Sequence, residues 1–288
     1  MRLIVHMGFH KTASTHLQDL LNRNTGHLAG RGIWYEHQSG YPAHHSIAHP
    51  LLRGDSAPFK VMISNARASG CHTVIFSSED LEAAPFNPVL PAQIEQVAAD
   101  QGIDRIEWHA VIREPGSYSE SLYAQLSWHT FADVLHMFSE VMKKGVLFMP
   151  EPFLGDHATP YWFYCFDYRP FFATFAAAAG RNLYVHDYAD SRPFPGWRML
   201  ERLGALDAMV EPAEGDGFNR RLPPEDVAAF LCERLHEVAG DQATWAMVRE
   251  VAASHIATDQ ATIPLLARTV GAKYGASYRE ALEQFGVF

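Results

Sequence analysis

Three cysteines in 288 residues, Cys71, Cys165 and Cys232, are too few and too scattered for a disulfide framework. A reducing compartment is expected, and the cytoplasm fits it. No run of about 18 apolar residues occurs, so a membrane span is not expected. The opening MRLIVHMG lacks the apolar core of a signal peptide, because Gly8, His10 and Lys11 interrupt it. Net positive charge is missing too. The formal charge of −10 argues against a general nucleic-acid binder, which would carry a basic face. Histidine is abundant, at 16 residues, but His44 with His45 and Cys71 with His72 lack zinc spacing and no HExxH occurs. No metal site is expected. The chain has no internal repeat and no low-complexity tract.

What remains is the composition of a soluble globular protein, with 48% hydrophobic and 19% charged residues. The length suits one large α/β domain over residues 1–288 or two small ones. Strands are expected at Leu3–Met7, His72–Ser77, Ile106–Ile112 and Asn182–Tyr188. Val74-Ile75-Phe76 and Ala110-Val111-Ile112 are continuous apolar runs, as a buried parallel sheet requires. Helices are expected near 14–24, 58–69, 91–101, 117–142, 168–179, 223–238 and 243–256. This alternation predicts an α/β fold with helices on both faces of a mostly parallel sheet, its functional loops gathered at the carboxyl ends of the strands. Residues 145–170, rich in proline and aromatics and without a period, break the rhythm. They suit a pocket wall, a lid or an irregular packed loop equally. Beyond about residue 195 the chain reads as mostly helical.

The most informative stretch is LIVHMGFHKTASTHLQDLLN, residues 3–22. An apolar strand enters a short loop, Gly8 to Ala13, which opens a helix with Leu17, Leu20 and Leu21 on one face. Lys11, Thr12, Ser14 and Thr15 crowd the junction. Free N–H groups at a helix start, a lysine and hydroxyls together make an anion site, for phosphate or sulfate. On the plainer reading Lys11 is a loop residue and the hydroxyls cap the helix, with Thr15 and Gln18 as a capping box. The loop is not a Walker A sequence: His10 precedes the lysine and the first glycine of GxxxxGK[ST] is absent. No apolar run ends in a Walker B aspartate either, since Val74-Ile75-Phe76 leads to two serines, Glu79 and Asp80. A second motif lies in IEWHAVIREPGSYSESLYAQ, residues 106–125. A strand ends at Ile112, Arg113 follows, Pro115 suits the first turn of a helix, and Ser121 stands eight residues past the arginine. A guanidinium fork suits phosphate oxygens.

Both motifs, in this order, resemble those of bacterial sulfotransferases that use 3′-phosphoadenosine 5′-phosphosulfate (PAPS). Residues 5–18 match most of that family's 5′-phosphosulfate loop, with Ala13 in place of a glycine. An alanine fits there if its dihedrals are helical and fits badly if φ is positive. The resemblance implies a three-layer, P-loop-like fold and PAPS as co-substrate without a metal. It implies that Lys11, Thr12, Ala13, Ser14 and Thr15 hold the 5′ side, that Arg113 and Ser121 hold the 3′-phosphate, and that His16 lies where relatives place an aromatic under the adenine. Ile75 to Leu81, Tyr168 to Asp187 and Asn219-Arg220-Arg221-Leu222 resemble further family segments.

Sulfuryl transfer needs a cation at the bridging oxygen, the natural role of Lys11, and a base for the acceptor proton. Glu79, at the end of a buried strand, is the first choice of base, with Glu36, His44 and His45 as rivals. Glu79 reads equally as a helix N-terminal acid, a role that Asp80 also fits. The acceptor is expected to be a hydroxyl of a saccharide, lipid or small metabolite. The alternatives are a metal-dependent nucleotide phosphotransferase with a degenerate loop and a non-catalytic nucleotide-binding protein.

Overall fold

Leu3, Ile4 and Val5 are apolar in succession, the pattern of a strand covered on both faces. The structure, a computed structural model, describes residues 1–150, 160–210 and 222–287. Its strands are β1 (Arg2–Met7), β2 (Ile33–Tyr35), β3 (Thr73–Ser78), β4 (Arg105–Ile112), β5 (Val146–Met149), β6 (Trp162–Cys165) and β7 (Asn182–Asp187). Five of them form one sheet in the order β2-β3-β1-β4-β7, and every neighbouring pair is parallel. The register sets Met7 beside Ser78 on one side and Ala110 on the other. The loops that follow β1, β3 and β4 therefore leave the sheet at one edge.

The helices are α1 (Ser14–Arg23), α2 (Thr25–Ala29), α3 (His45–Leu52), α4 (Ala57–Ala68), α5 (Val89–Asp100), α6 (Pro115–Leu126), α7 (Val134–Lys144), α8 (Tyr168–Ala178), α9 (Trp197–Arg202), α10 (Pro224–Ala239) and α11 (Gln242–Phe285). Side chains alternate between the two faces of the sheet. Leu3, Val5, Val74, Phe76, Trp108 and Ala110 pack with Phe59 of α4, Ile94 of α5 and Phe172 of α8. Ile4 and Ile75 face the other way, onto Leu17, Leu20 and Leu21 of α1 and Leu200 of α9. Helices thus cover both faces of the sheet in three layers. A separate apolar cluster joins α6, α7, α10 and α11 around Leu122, Val141, Leu231 and Val270.

The expected strands all form, with ends shifted by a residue at most. Other elements differ. The expected helix at 117–142 is two helices, α6 and α7, because Asp133 in extended backbone accepts from the His136 N–H and starts a new one. The helix expected at 243–256 continues to Phe285 through Pro264, because Val270 and Tyr274 carry its apolar contacts onward. Strand β2 and helices α2, α3 and α9 are too short for a periodic signal. Of the irregular stretch 145–170, Val146–Met149 and Trp162–Cys165 pair as antiparallel strands. Asn219, Arg220 and Arg221 lie outside the described residues. Among the described residues no helix is long and apolar enough to cross a membrane.

Candidate functional site

The β1 strand delivers its chain to the sheet edge at Met7, and the loop from Gly8 to Ala13 turns back into α1. Gly8 allows close approach: a Cβ there would stand 3.2 Å from Glu79 N and from Ser14 Oγ. Lys11 and Ala13 have φ of 56° and 62°, in the left-handed region, whereas His10 and Thr12 do not. An alternation of this kind is the backbone pattern of nests, which can bind an anion through successive N–H groups. The N–H groups of Lys11, Thr12, Ala13 and Ser14 have no acceptor among the described residues. Ala13 therefore occupies the conformation that favours glycine, the less comfortable of the two cases open to the sequence.

The loop hydroxyls are engaged within the protein. Thr12 Oγ1 and Ser14 Oγ both donate to the Phe9 carbonyl, at 2.6 and 3.0 Å. Thr15 Oγ1 lies 2.9 Å from Tyr41 OH and donates to Glu79 Oε1 at 3.4 Å. Ala13, not a hydroxyl residue, sits at the N-cap of α1 without a side-chain cap. The capping-box pair does not form. Gln18 Nε2 instead donates to Ser77 Oγ and to Glu79 Oε2, each at 3.1 Å.

Arg113 follows β4 and reaches the same loop. Its Nη1 donates to the Lys11 carbonyl at 3.1 Å, its Nε donates to Ser117 Oγ at 3.1 Å, and its guanidinium lies 4.8 Å over the Tyr188 ring. Ser121 is half-buried on α6, one turn beyond Ser117 on the same face. The lysine loop and the arginine helix therefore meet, and the hydroxyl bonded to the guanidinium is Ser117. Glu114 fixes the start of α6 by accepting from the Gly116 and Ser117 N–H groups at 2.9 and 2.7 Å. Gly116 must lack a side chain, since a Cβ would stand 2.5 Å from the Ala267 carbonyl of α11. The Lys11 ammonium is half-buried. Burial pushes its pKa down and the neighbouring Arg113 charge pushes the same way. Among the described residues no carboxylate pairs with either cation.

On the opposite flank of the loop stand the acids that follow β3. Glu79 is buried against Thr15 and Gln18, and its Oε2 lies 3.7 Å from His45 Nε2. His45 Nδ1 lies 2.6 Å from Asp80 Oδ2, and His49 Nε2 lies 3.1 Å from the same oxygen. Burial alone would lower the His45 pKa, but the bond to Asp80 and the charges of Asp80 and Glu79 override it and raise the pKa to about 9. Burial would raise the Asp80 pKa, and the two histidines instead hold it well below the carboxylate range.

The other rivals for the base are committed elsewhere. His44 is fully buried, accepts from Ser77 N at Nδ1 (3.1 Å) and bonds the Glu36 carbonyl through Nε2 (2.9 Å). Burial holds its pKa near 4, and neither nitrogen is free for an acceptor proton. The Glu36 carboxylate accepts from Trp34 Nε1 at 2.8 Å and from Asn65 Nδ2 at 3.2 Å. His16 projects from α1 with its ring 5.6 Å from that of Phe194.

One residue essential to this arrangement carries no sequence signal. Glu82 is fully buried and accepts from His10 N (2.9 Å), His10 Nδ1 (2.8 Å), Tyr118 OH (2.9 Å) and Cys165 N (2.8 Å). It ties the loop to α6 and β6 at a single carboxylate. Only its place three residues after Glu79, on the same short 3-10 turn Glu79–Ala83, hints at the role. No protein-family model, curated protein or solved structure matches the chain.

Proposed function

We propose that the protein is a PAPS-dependent sulfotransferase of P-loop-like fold that transfers a sulfuryl group to an acceptor hydroxyl. The observation that carries this reading is Arg113 bonded to the Lys11 carbonyl, its charge acting on the Lys11 ammonium, with no carboxylate paired to either cation and a loop whose N–H groups lack acceptors among the described residues. Two neighbouring cations without a counter-charge repel each other, and an anion between them removes that penalty.

The 5′-phosphosulfate lies in the nest of Lys11 to Ser14, with Thr12, Ser14 and Thr15 lining it. Arg113 and Ser121 take the 3′-phosphate, and His16 stands by the adenine. The acceptor oxygen attacks sulfur as the bond from sulfur to the bridging oxygen breaks. Lys11 stabilises the charge that develops on that oxygen, an effect worth about 10²–10³ in rate for a well-aligned donor. Glu79 takes the acceptor proton, and general-base help of this kind contributes about 10²–10⁴. The product nucleotide is adenosine 3′,5′-bisphosphate. The acceptor is a saccharide, lipid or small metabolite, and a soluble protein working in the cytoplasm fits this chemistry.

The test is thermal unfolding with adenosine 3′,5′-bisphosphate in the presence of a chelator, followed by radiolabelled sulfate transfer from PAPS across acceptor classes. The bisphosphate raises the melting temperature and Arg113→Ala removes most of the shift. Equal shifts from AMP and ATP, or transfer only from ATP with magnesium, refute the reading in favour of a phosphotransferase.

A further inference from the structure

We propose that His45, His49 and Asp80 form a binding site for one divalent transition-metal ion of the zinc class. The site is independent of the nucleotide reading and stands or falls without it. The sequence places no metal here because the third ligand lies far along the chain from the two histidines. The fold removes that distance. His45 and His49 are one turn apart on α3 and project from the same face, the i, i+4 spacing that lets two imidazoles share an ion. The turn that follows β3 brings Asp80 against both.

The ligand atoms are already convergent. His45 Nδ1, His49 Nε2 and an Asp80 oxygen lie within 4.8 Å of one another. Tetrahedral ligands at about 2.1 Å from an ion stand about 3.4 Å apart. The 3.1 Å from His49 Nε2 to Asp80 Oδ2 is close to that, and the 2.6 Å from His45 Nδ1 widens by less than an ångström. The surroundings supply the second layer that metal ligands need. Ser78 Oγ donates to Asp80 Oδ2 at 2.8 Å and orients the carboxylate. Glu79 Oε2 stands 3.7 Å from the far nitrogen of His45, so a small approach would give the outer carboxylate partner that ligating imidazoles commonly have. The side chains of His45 and His49 are 31% and 20% exposed and that of Asp80 is 6% exposed. An ion can enter, and at least one position is left for water or another oxygen ligand.

Two nitrogens and one carboxylate oxygen suit Zn²⁺ or Co²⁺. Mg²⁺ and Ca²⁺ require oxygen ligands throughout. A second convergent group, Asp133, His255 and Asp259, lies on α7's cap and α11 with an exposed histidine, and serves as the internal control.

The experiment uses the full, untagged chain stripped with a chelator. Zn²⁺ uptake is followed in competition with a chromophoric chelator, and Co²⁺ uptake by visible absorption. The expected result is one ion per chain, loss of affinity by more than about 100-fold in His49→Ala and Asp80→Asn, and wild-type affinity in His255→Ala. Glu79→Gln weakens binding by about 10–100-fold, the usual effect of removing an outer partner. Millimolar Mg²⁺ does not displace the ion. The Co²⁺ spectrum of the unmodified protein reports the site even if a variant fails to fold. A spectrum identical to aqueous Co²⁺ overturns the proposal and leaves the cluster an ion pair. So does unchanged Zn²⁺ affinity in a folded His49→Ala chain, or loss of the ion in His255→Ala.

Discussion

Lowering the pH from 6.5 to 5 destabilises this protein through a row of histidines built into its sheet. His6 on β1 is in register with His109 on β4, and His186 on β7 lies on the same face, its Nε2 2.9 Å from His109 Nδ1. All three are buried. His6 Nδ1 bonds Ser77 Oγ at 2.8 Å, while His6 Nε2 and His186 Nδ1 have no partner. Burial, reinforced by the charge of a protonated His109, holds His6 at about 3 against an ordinary 6.5. Burial lowers His109 and His186 as well. The sign follows from linkage. Above pH 6.5 His6 is neutral in both the folded and the unfolded chain and contributes nothing. Between 6.5 and about 3 the unfolded chain binds a proton that the folded chain refuses, so stability falls as pH falls. The slope is about 1.4 kcal/mol per pH unit, and His6 alone removes about 2 kcal/mol by pH 5. His109 and His186 act in the same direction, against a total stability of about 5–15 kcal/mol for a typical domain. Urea unfolding at a series of pH values measures the effect. His6→Gln keeps a donor for Ser77 and flattens the slope between pH 6.5 and 5 by about 1.4 kcal/mol per unit. Coincident slopes for the two proteins refute the reasoning, whatever their absolute stabilities.

Ala13→Gly stabilises the chain by about 0.5–1 kcal/mol in urea titration, because left-handed backbone costs alanine about 1–2 kcal/mol and glycine's extra freedom returns part of that; a destabilised glycine variant contradicts the φ of 62°. Glu82→Gln lowers stability by about 2–3 kcal/mol, since an amide nitrogen then faces N–H and O–H donors; a change under about 0.5 kcal/mol shows the four bonds to be dispensable. Glu79→Gln leaves the thermal shift from adenosine 3′,5′-bisphosphate in place and abolishes sulfate transfer; undiminished turnover rules Glu79 out as the base.

The strands and the loop were legible in the sequence because their signals are local. Continuous apolar runs such as Val74 to Phe76 need cover on both faces wherever they lie, and an apolar strand running into Gly8 and a polar helix start can hardly be read otherwise. Partnerships were not legible, because they depend on which segments the sheet brings together. The spacing of eight residues past Arg113 points to Ser121, yet the bonded serine is Ser117, one turn closer on the same face. Gln18 read as half of a capping box and instead reaches β3. Glu82 has no pattern of its own, because its donors come from the loop after β1, from α6 and from β6. The i, i+4 spacing of His45 and His49 carries no meaning in the sequence until Asp80 is brought against both. The composition over 117–142 is helical throughout, and Asp133 divides it by capping a new helix rather than by a helix-breaking residue.

The strand order also explains how one sheet edge keeps opposite charges apart. With β1 between β3 and β4, the turn that follows β4 meets the loop from one side and the turn that follows β3 meets it from the other, with Glu82 bridging from the second to α6 and β6. Arg113 reaches Lys11 from the β4 side, whereas Glu79, Asp80 and the α3 histidines stand on the β3 side. Direct pairing of Lys11 with Glu79 would neutralise both, and on the proposed reading would leave neither an anion site nor a base. The protein prevents this by spending the acids on other partners: Glu79 accepts from Gln18 and Thr15, and Asp80 from His45 and His49. Lys11 and Arg113 are left without a carboxylate among the described residues, and Thr15, bonded to Glu79, stands between the loop and the β3 side. A group in transit between an anion held by the loop and an acceptor at the β3 flank would cross only that boundary. Placing a carboxylate at position 113 would set an acid beside Lys11 and end that separation, and on the proposed reading it would abolish the thermal shift from adenosine 3′,5′-bisphosphate.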